Sequence, residues 1–105
     1  MTTFDKREDA FERKFVHDET LLFRAKARRD RLLALWAAEK LGRAEKDAYV
    51  AEVIAADIEK AGDEDVFRKI RRDFDVAGVA QSDHQIRRTM DELLTKAMAE
   101  IKTTG

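Results

Sequence analysis

The sequence predicts an all-α fold: a four-helix bundle with a long first helix and a flexible N-terminal arm. Three observations carry this reading. Apolar residues recur at three- and four-residue steps, and alternation of period two is nowhere sustained. Gly42, Gly62 and Gly78 each follow such a stretch, where a residue in the left-handed conformation would end a helix. The chain has no proline to interrupt a helix from within.

The first helical segment is expected from Phe4 to Leu41 without a break. Its second half carries core candidates, namely Leu21, Leu22, Ala25, Leu32, Leu33, Leu35 and Trp36. The second segment is expected from about Ala44 to Ala61, with Tyr49, Val50, Val53, Ile54, Ile58 and Ala61 on its apolar stripe. Tyr49 is expected to keep its hydroxyl at the rim, and Trp36 to fill the core. The third runs from about Glu64 to Ala77, with Val66, Phe67, Ile70, Phe74 and Ala77 facing inward and Asp63 as its N-cap. The fourth runs from about Asp83 to Lys102, with Ile86, Met90, Leu93, Leu94, Ala97 and Ile101 on one face. Ser82-Asp83-His84-Gln85 matches a capping box, in which the serine bonds forward and the glutamine reaches back.

Length arithmetic separates an arm from the bundle. At 1.5 Å per residue the first helix would reach about 57 Å, against roughly 27, 21 and 30 Å for the others. A bundle of such helices covers the first one only from about Thr20 onward. Residues 1–19 are therefore expected to form an arm, disordered or partly helical when free, and residues 20–105 the four-helix bundle. Between Asp5 and Glu19 ten of fifteen residues are charged, too many for the arm to offset its own ordering entropy. Its exceptions include Phe4, Phe11 and Phe15, which share one stripe of a helix at spacings of seven and four. This is the pattern of a segment that lays an apolar face into a partner's groove. Arg7, Glu8, Glu12 and Arg13 flank the stripe and would set orientation.

Composition excludes several classes. The chain has 105 residues, 21 basic and 22 acidic, for a net charge of −1 that gives no global attraction to nucleic acid or anionic lipid. With no cysteine there is no disulfide, thiolate metal site or thiol nucleophile. No apolar run approaches the roughly 18–20 residues that span a bilayer, so no membrane insertion is expected. No Gly-rich phosphate loop is present. His17 stands beside Asp18 and Glu19, but neighbouring residues on a helix diverge by about 100° and do not converge on a metal. His84 falls in a first helical turn. No metal site, cofactor or catalytic residue is expected, and the chain is not read as an enzyme. The alternative reading uses the basic cluster Arg24, Lys26, Arg28, Arg29 and Arg31. Arg24, Arg28 and Arg31 line one helix face, as in a helical adaptor that binds nucleic acid; Lys26 and Arg29 point elsewhere. The cluster lacks interleaved aromatic rings, and the usual role of such a stripe is a solvated face.

Phe4-Asp5, Arg7-Glu8, Ala10-Phe11-Glu12, Lys14-Phe15, His17-Asp18-Glu19, Phe23-Arg24-Ala25, Ala27-Arg28-Arg29, Leu32-Leu33 and Leu35-Trp36-Ala37-Ala38 follow one another in a familiar order. In these residues the sequence resembles the zeta subunit family of alphaproteobacterial F-type ATP synthase, an ATPase inhibitor. The likeness is dense over about the first forty residues and continues afterwards as helical periodicity and capping glycines. Thr20-Leu21-Leu22 departs from the family in being more apolar than the acidic stretch expected after Glu19, and Asp9 and Asp30 stand where a basic or neutral residue would be expected. The resemblance implies an inhibitor of ATP hydrolysis whose N-terminal arm wedges into a catalytic α/β subunit interface near the γ shaft. It implies as partner the catalytic head with its α, β and γ subunits, a cytoplasmic location, and peripheral attachment to the membrane through the synthase. The free protein is expected to be monomeric. With Lys14 and His17 on the same segment, the candidate partner-binding residues are Phe4, Arg7, Glu8, Phe11, Glu12, Arg13, Lys14, Phe15 and His17.

Overall fold

The computed structural model describes the backbone of residues 3–59 and 63–104, and the side chains of residues 20–57 and 63–102. Among the described residues the chain forms four helices and no strand: α1 (Thr3–Leu41), α2 (Lys46–Glu59), α3 (Asp63–Ala77) and α4 (Asp83–Thr104). The ends are written in the local sequence. Gly42 and Gly78 take φ of 69° and 71°. Each closes its helix with the same pair of backbone bonds. Gly42 donates to the Glu39 carbonyl and Arg43 to Ala38; Gly78 donates to Asp75 and Val79 to Phe74. This is the Schellman arrangement, which satisfies carbonyls that a helix end leaves unpaired. Gly62 lies outside the described residues.

The start of α4 is the expected capping box. Ser82 Oγ accepts from the Gln85 N–H at 3.1 Å, and Gln85 Oε1 accepts from the Ser82 N–H at 2.9 Å. Ser82→Ala is expected to lower the unfolding free energy by about 1 kcal/mol in urea titration. An unchanged midpoint would show that water replaces the cap. The start of α2 differs from expectation. The turn that closes α1 carries through Arg43, so Ala44 and Glu45 stay outside the helix, and the Glu45 carbonyl accepts its first bond, from Tyr49.

Helix α1 is the spine. It packs against α2, α3 and α4, whereas among the described residues the backbones of α2 and α4 do not meet. The main core joins Leu33, Ala34, Ala37 and Ala38 of α1 with Tyr49, Val50 and Val53, with Val66, Phe67, Ile70 and Phe74, and with Ile86 and Met90. A second, smaller cluster joins Ala25 to Ala97 and Ile101, with Leu21, Leu32, Leu94 and Met98 packed on it. Rising residue number on α1 thus meets falling number on α4, so the two run antiparallel. The alanines of α1 let its neighbours approach closely.

Five packing expectations are corrected. Trp36 is half-buried at the edge of the main core and meets Phe74 edge-on, with ring centroids 5.6 Å apart. Tyr49 is fully buried, not at the rim. Its hydroxyl donates to Asp73 Oδ2 at 2.8 Å, and burial with that bond holds the phenol well above its usual titration range. Leu22, Ile54 and Ala77 are exposed, although their residue types and helical phase suggest core.

At 39 residues α1 is about 58 Å long, against roughly 33 Å for the 22 residues of α4. The molecule measures 64 Å along its longest axis and 25 Å across. No helix among the described residues is long and apolar enough to cross a membrane.

Candidate partner-binding site

Phe4, Arg7, Glu8, Phe11, Glu12, Arg13, Lys14, Phe15 and His17 all fall within the span of α1, but their side chains lie outside the described residues. What is described is the base from which that segment leaves the bundle. Leu21 packs down onto the Ala25–Ala97–Ile101 cluster. One residue further on, the same turn presents Leu22 and Phe23 to solvent, 38% and 76% exposed. Helix α3 begins opposite Lys26, whose Nζ lies 3.8 Å from Asp63 Oδ1. Leu22 and Phe23 precede that level on α1.

The next turn holds an ionic cluster that sequence reasoning missed. Arg29 and Asp30 are each only 2% exposed. Arg29 Nε donates to Asp30 Oδ1 at 2.9 Å, and its Nη2 donates to Asp63 Oδ1, also at 2.9 Å. The Asp63 carboxylate, expected as a helix cap, is thus directed across the bundle to α1. Burial opposes the Arg29 charge most, but the bond to Asp63 and the pairing with Asp30 outweigh it and raise its pKa. The same bond from Arg29 holds the Asp63 carboxyl below its ordinary range. Asp30 is pushed up to about 7, first by burial and then by a side-chain hydrogen bond with Asp57 of α2, against the pull of Arg29. The charges explain this. With every group ionised, Lys26 and Arg29 face Asp30, Asp57 and Asp63, one negative charge in excess. Asp30 in its protonated form removes that excess and has a hydrogen to donate to Asp57. One signal of this burial stands in the sequence: Arg29 occupies the i+4 and i−4 positions of Ala25 and Leu33, inside the apolar stripe of α1.

The basic face survives in part. Arg24, Arg28 and Arg31 line a groove of about 650 Å³ on the outer side of α1, bounded by Ile54 of α2 and Ile101 of α4. Arg28 Nε lies 3.4 Å from Glu100 Oε1, so the stripe is partly neutralised within the bundle. Lys26 and Arg29, expected to point elsewhere, do so: both turn to Asp63. His84 is exposed in the first turn of α4, as its position suggested.

No group of three or more acidic, histidine or cysteine side chains with metal-binding geometry occurs among the described residues. The described chemistry consists of helix-to-helix ion pairs and an exposed apolar step at the base of α1's N-terminal extension, which suits binding. No curated protein matches the chain. Residues 1–100 of its 105 match the family model described as ATPase inhibitor subunit zeta. A match over nearly the whole length, on a four-helix chain whose first helix is far longer than its partners, makes this protein a member of the ATPase inhibitor subunit zeta family.

Proposed function

We propose that the chain inhibits ATP hydrolysis by an F-type ATP synthase by inserting residues 1–19 into a catalytic α/β subunit interface near the γ shaft. The observation that carries the reading is the length mismatch: α1 runs roughly 25 Å beyond what α4 can flank. In the excess stand Phe4, Phe11 and Phe15, which fall within about 40° of one another at 100° per residue. A helix that presents three rings in a row suits a cleft between subunits. Arg7, Glu8, Glu12 and Lys14 flank the rings, Arg13 and His17 fall toward the far side of the helix, and together these groups fix register and partner choice. A wedge of this kind acts by blocking the conformational cycle of the interface and performs no chemistry itself. Residues 20–105 then serve as the body that carries and orients the wedge. The location follows from the partner: the chain works on the cytoplasmic side and reaches the membrane only through the synthase.

The test is steady-state ATP hydrolysis by the cognate synthase, titrated with the full chain and with a variant that lacks residues 1–19. The full chain is expected to inhibit and the truncated chain not to. The double change Phe11→Ala, Phe15→Ala is expected to raise the half-inhibitory concentration by at least about a hundredfold, as for paired interface anchors, and to leave thermal unfolding of the bundle in place. Equal inhibition by full and truncated chains sinks the wedge. A large loss of stability in the double variant assigns the rings to the core instead.

A further inference from the structure

Four large apolar side chains are exposed among the described residues: Leu22, Phe23, Ile54 and Val76. Ile54 lines the basic groove and Val76 stands alone on α3. Leu22 and Phe23 are consecutive, and they sit where α1 leaves the bundle. Scattered exposed apolar residues are ordinary, but adjacent ones beside a binding segment form a patch.

Their register on α1 gives the patch an occupant. At 100° per residue, position 22 repeats the angle of positions 4, 11 and 15 to within about 20°. Leu22 therefore stands next in the phenylalanine stripe, about 10 Å beyond Phe15. Phe23 stands beside it, seven residues after Val16 and so on the neighbouring stripe. Among the described residues this face is left open at Phe23, 76% exposed, and in part at Leu22, 38% exposed. Leu21 turns to α4, and Lys26 one turn later turns to Asp63. A surface that takes up the stripe of a helix unbroken from Thr3 to Leu41 meets Leu22 and Phe23 next.

Resting on the inhibitory reading above, we propose that Leu22 and Phe23 extend the inhibitory surface past residue 19 and dock on an apolar shelf of the ATPase catalytic head, at the mouth of the cleft that receives the arm. The partner surface is of aliphatic or aromatic side chains and about two side chains wide. The bundle is then seated directly against the enzyme at its arm end. This contact fixes how deep the arm enters, because Phe23 projects where the helix emerges from its own bundle.

The experiment titrates inhibition of ATP hydrolysis by the cognate synthase with five full-length or truncated chains: the native sequence, Phe23→Ser, the double change Leu22→Ser with Phe23→Ser, Val76→Ser as an exposed apolar control at 84% exposure, and the chain without residues 1–19. Thermal unfolding and sedimentation are run on each. The double variant is expected to need at least about tenfold more protein for half-inhibition, Phe23→Ser alone a several-fold excess, and Val76→Ser no more than the native chain. Phe23→Ser and Val76→Ser are expected to unfold near the native temperature, and the double variant slightly below it, because Leu22 is only 38% exposed, while remaining folded at the assay temperature. If the double variant inhibits like the native chain while the truncated chain has lost inhibition, the docking patch is refuted and the wedge stands. If the truncated chain inhibits fully, the wedge fails and the patch falls with it. A native dimer that the double change dissolves assigns the patch to a second copy of this chain and also overturns the proposal.

Discussion

Replacing Arg29 by alanine is expected to lower the unfolding free energy by about 3–5 kcal/mol, the range for breaking one side of a buried ion pair. The guanidinium is 2% exposed and bonds Asp30 and Asp63 at once, so its loss leaves Asp30 buried beside Asp57 with no cation against it. The surface pairs of this chain, such as Arg88 with Glu92, are highly exposed and contribute about 0.3–0.5 kcal/mol each. The measurement is urea unfolding at neutral pH. A companion variant, Arg29→Ala with Asp30→Ala, is expected to cost less than the two single changes added together, since neither charge is then stranded. A loss below 1 kcal/mol for Arg29→Ala, or strict additivity, refutes the buried pairing.

The second large effect is on pH dependence. Asp30 has a folded pKa of about 7 against an ordinary value of 3.8. Between roughly pH 4 and 7 the folded chain therefore holds a proton that the unfolded chain has released. Stability from this group is complete below pH 4, declines as pH rises, and is gone above pH 7. The shift corresponds to a contribution on the order of 4 kcal/mol. Asp63 acts in the opposite sense: its depressed pKa gives stability above the ordinary carboxylate range that is lost on acidification. It is nearly half exposed, so solvent screening keeps its part smaller. Asp30→Asn isolates the first effect. The amide N–H₂ takes the place of the protonated carboxyl of Asp30 toward Asp57, and the amide oxygen still accepts from Arg29. Urea unfolding from pH 4 to pH 8 is expected to show the variant matching the native chain at the acid end and exceeding its stability by several-fold RT at pH 8. Parallel stability profiles would rule out the raised titration of Asp30.

The helix ends at Gly42, Gly78 and Ser82 were the most legible part of the fold, because each is set within a few residues. Gly42 and Gly78 supply the left-handed turn, and Ser82 with Gln85 supplies the reciprocal cap, whatever the rest of the chain does. The side of a helix that becomes buried was legible only where apolar residues mark it. Arg29-Asp30 reads as solvent-facing by residue type. Its burial depends on Asp57 and Asp63 arriving from two other helices, which no local pattern specifies. Tyr49 was misjudged for the same reason, since its partner Asp73 lies 24 positions away. Leu22 fails in the opposite direction. Its type suggests core, but α3 begins at the level of Lys26, beyond it. The candidate residues from Phe4 to His17 rest on their stripe and on the family match.

Helix α1 runs from Thr3 to Leu41 without glycine, proline or a cap inside it. It therefore transmits rotational phase. Each residue turns the N-terminal segment by about 100° relative to the bundle and moves it by about 1.5 Å. Substitutions along the exposed side of this shaft leave that phase alone. A single insertion or deletion between the phenylalanine stripe and Ala25 would aim the rings away from the surface that the bundle faces. The geometry of such a protein is held in the count of its residues as firmly as in their identity.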